Sequence, residues 1–227
     1  MKALEIVDRV AAKIAPGRSP SFAGAHVIKA LEDIGENVTM GRLKLSRDLR
    51  LGEGEARTLI RHLKNEGLIK VSRSGISLSV TGRKLLSSLR TLLSEQIEIP
   101  FTSLAVGSFN VAVKVTGMKD SVKYGLEQRD AAITAGARGA TTLVFTNHGL
   151  VMPGTGERVS ESNSSITNSL SKLSLNDDDV IIIGSANEKI EAELGVKTAA
   201  LELLKTKGRS NFRSTRSTVR RGKAHPR

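Results

Sequence analysis

Glu53-Gly-Glu-Ala-Arg-Thr-Leu-Ile-Arg-His-Leu-Lys-Asn-Glu-Gly67-Leu-Ile-Lys-Val-Ser-Arg-Ser-Gly-Ile-Ser-Leu-Ser79 carries the reading of the fold. Ala56, Leu59, Ile60 and Leu63 recur at the spacing of one buried helical stripe, so a helix is expected from Glu53 to Glu66. Arg57, Thr58, Arg61, Lys64 and Asn65 fall on its other faces. Gly67 stops that helix, and Leu68 to Ser72 reads as a strand. Arg73-Ser74-Gly75 reads as a hairpin turn, and Ile76 to Val80 alternates as the return strand. Working outward, Thr81 is placed to cap a helix from Gly82 to Glu95 with Leu85, Leu86, Leu89, Leu92 and Leu93 apolar. Upstream, Gly52 and Gly54 form a turn after a short basic helix running from Thr39 to Leu49. Before that, Val27, Ile28, Leu31 and Ile34 define a helix closed by Gly35, and Leu4 to Ile14 an amphipathic one ending near Pro16 and Gly17. Helices, then a hairpin with Arg at its tip, then a helix: this is the order of a winged helix-turn-helix, expected over residues 21–96 after an N-terminal helix in residues 1–20.

That order assigns chemistry to residues. The second helix of such a motif sets its N-terminal half against base edges in the major groove of double-stranded DNA. Arg57 and Arg61, one turn apart, are the expected base readers, with Thr58 offering a hydroxyl or a methyl group. Arg42, Lys44 and Arg47 of the preceding helix, with Lys70 and Arg73 of the wing, suit phosphate. The bland alternative, a winged helix used for protein contact with solvated charges, stays open at this level.

Composition points the same way. Lys and Arg number 35 against 23 Asp and Glu, a formal charge of +12, and the pI is about 10.2, which favours a polyanionic partner. Eight of those net charges lie in residues 207–227, where no acid occurs and only Phe212 and Val219 are sizeable apolar side chains, so a disordered basic tail is expected there. The absence of Cys excludes disulfides, thiol nucleophiles and Cys-ligated metal sites. Apolar runs such as Val180 to Ile183 are too short to span a bilayer, and acids interrupt the first residues, so no membrane is implicated and a cytoplasmic protein is expected.

Residues 97–206 read as a small α/β domain, making the whole chain α+β. Strands are expected over Leu104 to Gly107, Asn110 to Val115, Thr141 to Phe145, Leu150 to Met152 and Val180 to Ile183, and helices over Ser121 to Ala135 and Glu188 to Leu204. The Ser- and Asn-rich residues 160–176 read as a weak helix or loop. In the first of those helices Val122, Leu126 and Ile133 define an apolar stripe whose middle is Arg129. A charge on a core face needs an internal acid or a bound anion. The second case makes Gln128, Arg129 and Asp130 a candidate effector-binding set. Ser185, in Gly184-Ser-Ala-Asn187 at a strand-to-helix junction, joins it as an anion-binding position. The domain would then sense a small-molecule or anionic effector or form a homodimer, as the two-fold symmetry of operators suggests. Asp177, Asp178 and Asp179 read as a solvated turn, not a metal site.

Enzyme motifs are not evident. His26, His62, His148 and His225 show no metal-ligand spacing, and no P-loop, dinucleotide fingerprint or Gly-x-Ser-x-Gly elbow occurs. No cofactor, metal or catalytic residue is expected. Size and layout are similar to archaeal riboflavin kinases carrying an N-terminal winged helix, but their Gly- and Pro-rich nucleotide segment is not found. A basic RNA-binding or ribosome-associated protein is the other alternative, against which stands the lack of aromatics between Ala23 and Pro100. Two further stretches, Gly125-Leu-Glu-Gln-Arg-Asp-Ala-Ala-Ile-Thr-Ala-Gly-Ala-Arg-Gly-Ala-Thr-Thr-Leu-Val144 and Asp179-Val-Ile-Ile-Ile-Gly-Ser-Ala186, resemble the signature of a family of archaeal proteins that couple a winged helix to a C-terminal domain of unknown function. The resemblance implies a regulator-like architecture and brings no ligand and no catalytic residue with it.

Overall fold

The computed structural model describes residues 2–12, 21–159 and 164–220. The N-terminal region holds α1 (Lys2–Ala11), α2 (Gly24–Glu36), α3 (Arg42–Asp48), α4 (Glu53–Asn65), the antiparallel pair β1 (Ile69–Ser72) and β2 (Gly75–Leu78), and α5 (Val80–Arg90). The C-terminal region holds β3 (Ile97–Glu98), β4 (Phe109–Val115), α6 (Leu126–Thr134), β5 (Gly139–Thr146), β6 (Gly149–Val151), α7 (Ser164–Leu170), β7 (Val180–Ala186) and α8 (Lys189–Arg220). The architecture is α+β. Among the described residues no helix is long and apolar enough to cross a membrane.

Local chemistry sets the element ends. Gly35 lies inside α2, not at its end: a Cβ there would sit 3.0 Å from Leu86 and 3.1 Å from Leu78, so the missing side chain lets α5 and β2 approach. Asn37 follows in extended backbone and caps α2. Ser79, not Thr81, caps α5, its hydroxyl accepting from the Gly82 amide at 2.9 Å and donating to the Gly67 carbonyl at 2.6 Å. Gly67, with φ of +67°, makes the turn from α4 into β1. Met40 exchanges backbone hydrogen bonds with Ile76, adding a third short segment to the hairpin.

Five strands form one antiparallel sheet in the order β3-β4-β7-β5-β6, with β7 at its centre. Every residue of β7 is buried, which its Val-Ile-Ile-Ile run anticipates, although the strand pairs antiparallel to both neighbours. Val180 and Ile182 face α8, where Ala192, Val196 and Ala199 meet them. Ile181 and Ile183 face the opposite layer, made by α7 and the loop after β3. The core under α8 is continuous with that of α1, α2, α4 and α5, so the two regions share one apolar interior.

Several expectations for the C-terminal region are corrected. Leu104 to Gly107 is irregular and not a strand: a turn at Ser103 and Leu104 is followed by a bend at Gly107, which lies against the Ala186 backbone so closely that a Cβ would be 2.4 Å from its amide nitrogen. The helix expected over Ser121 to Ala135 is split: a single 3-10 turn occupies Lys119–Ser121, and α6 begins only after Gly125 in left-handed conformation. Asp179 is buried, accepting from the Gly117 and Asn176 amides at 3.0 and 2.9 Å, so the acid run is in part a loop anchor. The Ser- and Asn-rich stretch contains α7, with residues 160–163 outside the described residues. α8 continues past Leu204 to Arg220. The expected disorder of the basic tail concerns residues 207–227, of which 221–227 lie outside the described residues.

Candidate nucleic-acid interface

The residues expected to meet DNA lie on α3, α4 and the hairpin. Ala56, Leu59, Ile60 and Leu63 bury one side of α4, which leaves Arg57 and Arg61 exposed on another. Four residues of helical rise separate them by about 6 Å along the axis. Gly52 precedes the helix in extended backbone, and its amide donates to the Glu55 carboxylate at 3.2 Å, which holds the turn between the helices. α3 packs beside α4, and a cleft between them is lined by Arg42, Leu43, Ser46, Glu53, Ala56 and Arg57. Arg42 and Arg57 therefore border the same cleft. Glu53 adds an acid at its edge, suited to a cytosine amine and opposed to phosphate.

Side-chain bonding separates the expected contacts into grades. Arg42, Arg57, Arg61, Lys70 and Arg73 are exposed and form no ion pair among the described residues. Lys44 is held by Asp48 at 2.6 Å, and Arg47 reaches back to the Leu43 carbonyl at 3.4 Å, so both must exchange partners to meet phosphate. Thr58 is half-buried and its hydroxyl donates to the Gly54 carbonyl at 3.0 Å; only its methyl group and a lone pair remain for a base. His62, on the same helix, is buried: Nδ1 lies 2.7 Å from the Val10 carbonyl, and Phe22 meets the ring edge-on at 5.6 Å. That contact ties α4 to α1 and sets how deeply α4 sits.

Sequence reasoning missed Arg50. It follows α3 with φ of +51°, and its guanidinium reaches Glu188 at 3.0 Å and Glu191 at 2.6 Å. The turn between α3 and α4 is thereby linked to the start of α8. Nothing in a local sequence window signals a contact across 141 residues.

The effector set expected in the C-terminal domain does not assemble. Arg129 is exposed, as are Leu126 and Ile133, while Gln128 and Ala132 are buried. The apolar stripe fails because α6 buries a polar and a small residue in place of its larger apolar ones: Gly195 of α8 lies against Ala132, where a Cβ would sit 3.7 Å from the Ala132 Cβ, and against Ala137 just after the helix, at 2.5 Å. Asp130 is exposed beside Arg129. Ser185 is buried on the face of β7 that carries Ile181 and Ile183, away from α6.

A three-helix unit with a hairpin, an exposed arginine face on its last helix and flanking cations is the arrangement of a DNA-binding domain. Residues 26–93 match the family model described as the CggR N-terminal DNA binding domain, and residues 106–203 match a domain of unknown function, DUF4443. No curated protein matches the chain. Among solved structures, a hypothetical protein from Pyrococcus horikoshii OT3 is similar at 22% identity and a TM-score of 0.66, over 82% of this chain and all of the other. That likeness is one of fold.

Proposed function

We propose that this chain is a transcriptional regulator whose winged helix reads duplex DNA in the cytoplasm, without enzymatic activity, and whose C-terminal domain carries an effector site or a homodimer contact. The observation that carries the reading is the pair Arg57 and Arg61, exposed on the face of α4 and without an ion-pair partner among the described residues, within a region similar to a DNA-binding domain. Inserted in a major groove, α4 directs these two guanidinium groups at base edges about two steps apart. Arg42 of α3 and Lys70 and Arg73 of the hairpin then meet phosphates on either side, fixing register without reading sequence. The basic tail adds charge to the same encounter.

The test is selection from a randomised duplex pool by the full chain and by an Arg57→Ala/Arg61→Ala variant. An enriched sequence for the wild type, lost in the variant, is expected. If no sequence is enriched, or the variant enriches the same one equally well, α4 does not read bases and the proposal fails.

A further inference from the structure

α6 carries a solvent-facing stripe that its own domain leaves uncovered. Gln128 and Ala132 are buried, while Leu126 is 53% and Ile133 42% exposed. Leu126 and Ile133 are seven residues apart, which puts them two turns apart on one line of the helix, about 10 Å along its axis. Between them stand Arg129 and Asp130, both exposed and neither with an ion-pair partner among the described residues. At about 100° per residue, Arg129 falls about 50° to one side of the Leu126–Ile133 line and Asp130 about 50° to the other.

Scattered exposed apolar residues are ordinary on a protein surface. This stripe differs in being its own complement. A two-fold axis running along the helix sets Leu126 against the partner's Leu126 and Ile133 against the partner's Ile133. The same axis exchanges the flanks, so that Arg129 of each copy faces the partner's Asp130. An antiparallel pair would instead set Arg129 against the partner's Arg129, like charge against like. A two-fold contact must present one self-complementary patch on both copies, and the charge pattern meets that condition in the parallel arrangement.

We infer that this face of α6 is a two-fold contact with a second copy of this chain, the two helices side by side and parallel. The inference names the surface for the homodimer contact proposed above and rests on that reading. A helix of nine residues offers a seam only about 13 Å long, well below the roughly 800 Å² per partner of a standard interface. Association of the chain alone is therefore weak. Two winged helices held on neighbouring half-sites of one duplex raise the effective concentration of the second contact and strengthen it.

The test uses the full chain, whose sequence holds no Cys, so that one introduced thiol reports one position. Leu126→Cys and Ile133→Cys should each cross-link to itself with a short bismaleimide, more strongly when duplex DNA is present. Sedimentation equilibrium on the Cys-free chain should show a reversible dimer at high concentration. Arg129→Asp should weaken that dimer about tenfold, as like charges set together do. Arg129→Asp/Asp130→Arg, which exchanges the two flanks, should restore it; all these positions are exposed, and circular dichroism checks that each variant folds. Preferred cross-linking of position 126 to position 133, or equal weakening by the single and the double charge variant, overturns the contact. Duplex affinity measured by anisotropy on the same proteins separates the two readings. A dimer that binds no DNA upholds the contact and overturns the regulator, whereas DNA binding by a chain monomeric both alone and on DNA overturns the contact.

Discussion

At the residue scale, the bonding state of each cation decides its worth at a DNA surface. Among the described residues Arg57 has no ion-pair partner, whereas Lys44 already has Asp48 at 2.6 Å. Arg57→Ala should therefore cost about 1–3 kcal/mol of discrimination at one position of a selected site. Lys44→Ala should weaken binding less and without sequence preference, both measured by anisotropy on matched and mismatched duplexes. His26 is a second residue with a readable consequence. It stands in the first turn of α2, where Nδ1 accepts from the Ala23 amide at 3.2 Å, and burial pulls its imidazole below the ordinary value of 6.5. The folded state holds the neutral ring, so its contribution is complete above pH 6.5 and is lost as the pH falls through the lower folded value. Thermal midpoints should fall between pH 7 and 5 in the wild type, and His26→Asn, which keeps an acceptor without titrating there, should flatten that slope. These positions were legible as residue types, since an Arg at a helix face or a His near a helix start stands out in sequence. Whether a neighbour already occupies the group was not.

At the element scale, close approach of α8 to the sheet depends on absent side chains. A Cβ on Gly184 would lie 2.8 Å from both the Ala192 carbonyl oxygen and the Val196 Cβ. Gly184→Val should then push α8 off β7 and cost about 1–3 kcal/mol, as overpacking does, read as a lower urea midpoint. The sequence shows the elements of the N-terminal region well, because strong periodicity, a Gly stop and a hairpin turn are all local signals. It shows α6 badly. There the buried face is Gln128 and Ala132 while Leu126 and Ile133 are exposed, so an apolar-stripe argument selects the wrong side. A buried Gln and a buried Ala carry no periodic hydrophobic signal, so the apolar stripe places Arg129 in the core where the fold exposes it.

At the scale of the whole molecule, a buried ionic network joins the N-terminal region to α8. Lys29 of α2 lies 3.1 Å from Asp33 and 2.7 Å from Glu193. Gln96 donates to Glu193 at 2.8 Å and accepts from Lys197, which also reaches Glu32 at 3.1 Å. Burial draws the Lys29 ammonium down, but Glu193 and Asp33 outweigh it and hold it above its ordinary range; burial pushes the Asp33 carboxyl up. The side chain of Lys197 is 1% exposed, so removing its charge strands Glu32 and Gln96. Lys197→Met should cost about 3–5 kcal/mol, and Lys197→Met/Glu32→Met should recover part of it in a double-mutant cycle. Because the apolar core is also continuous, both regions should unfold in one transition by circular dichroism and by the single Tyr124.

The sequence by itself determined the α+β class, the helix and hairpin of the N-terminal region, the buried central strand and the cations of α3, α4 and the hairpin. Each rests on side-chain periodicity or turn chemistry within a dozen residues. Only the tertiary structure decided which of those cations are held in ion pairs, which face of α6 is buried, and that Arg50 and Lys197 join the two regions. Those facts depend on side chains meeting in space, and pairing and packing of that kind leave no mark on local patterning.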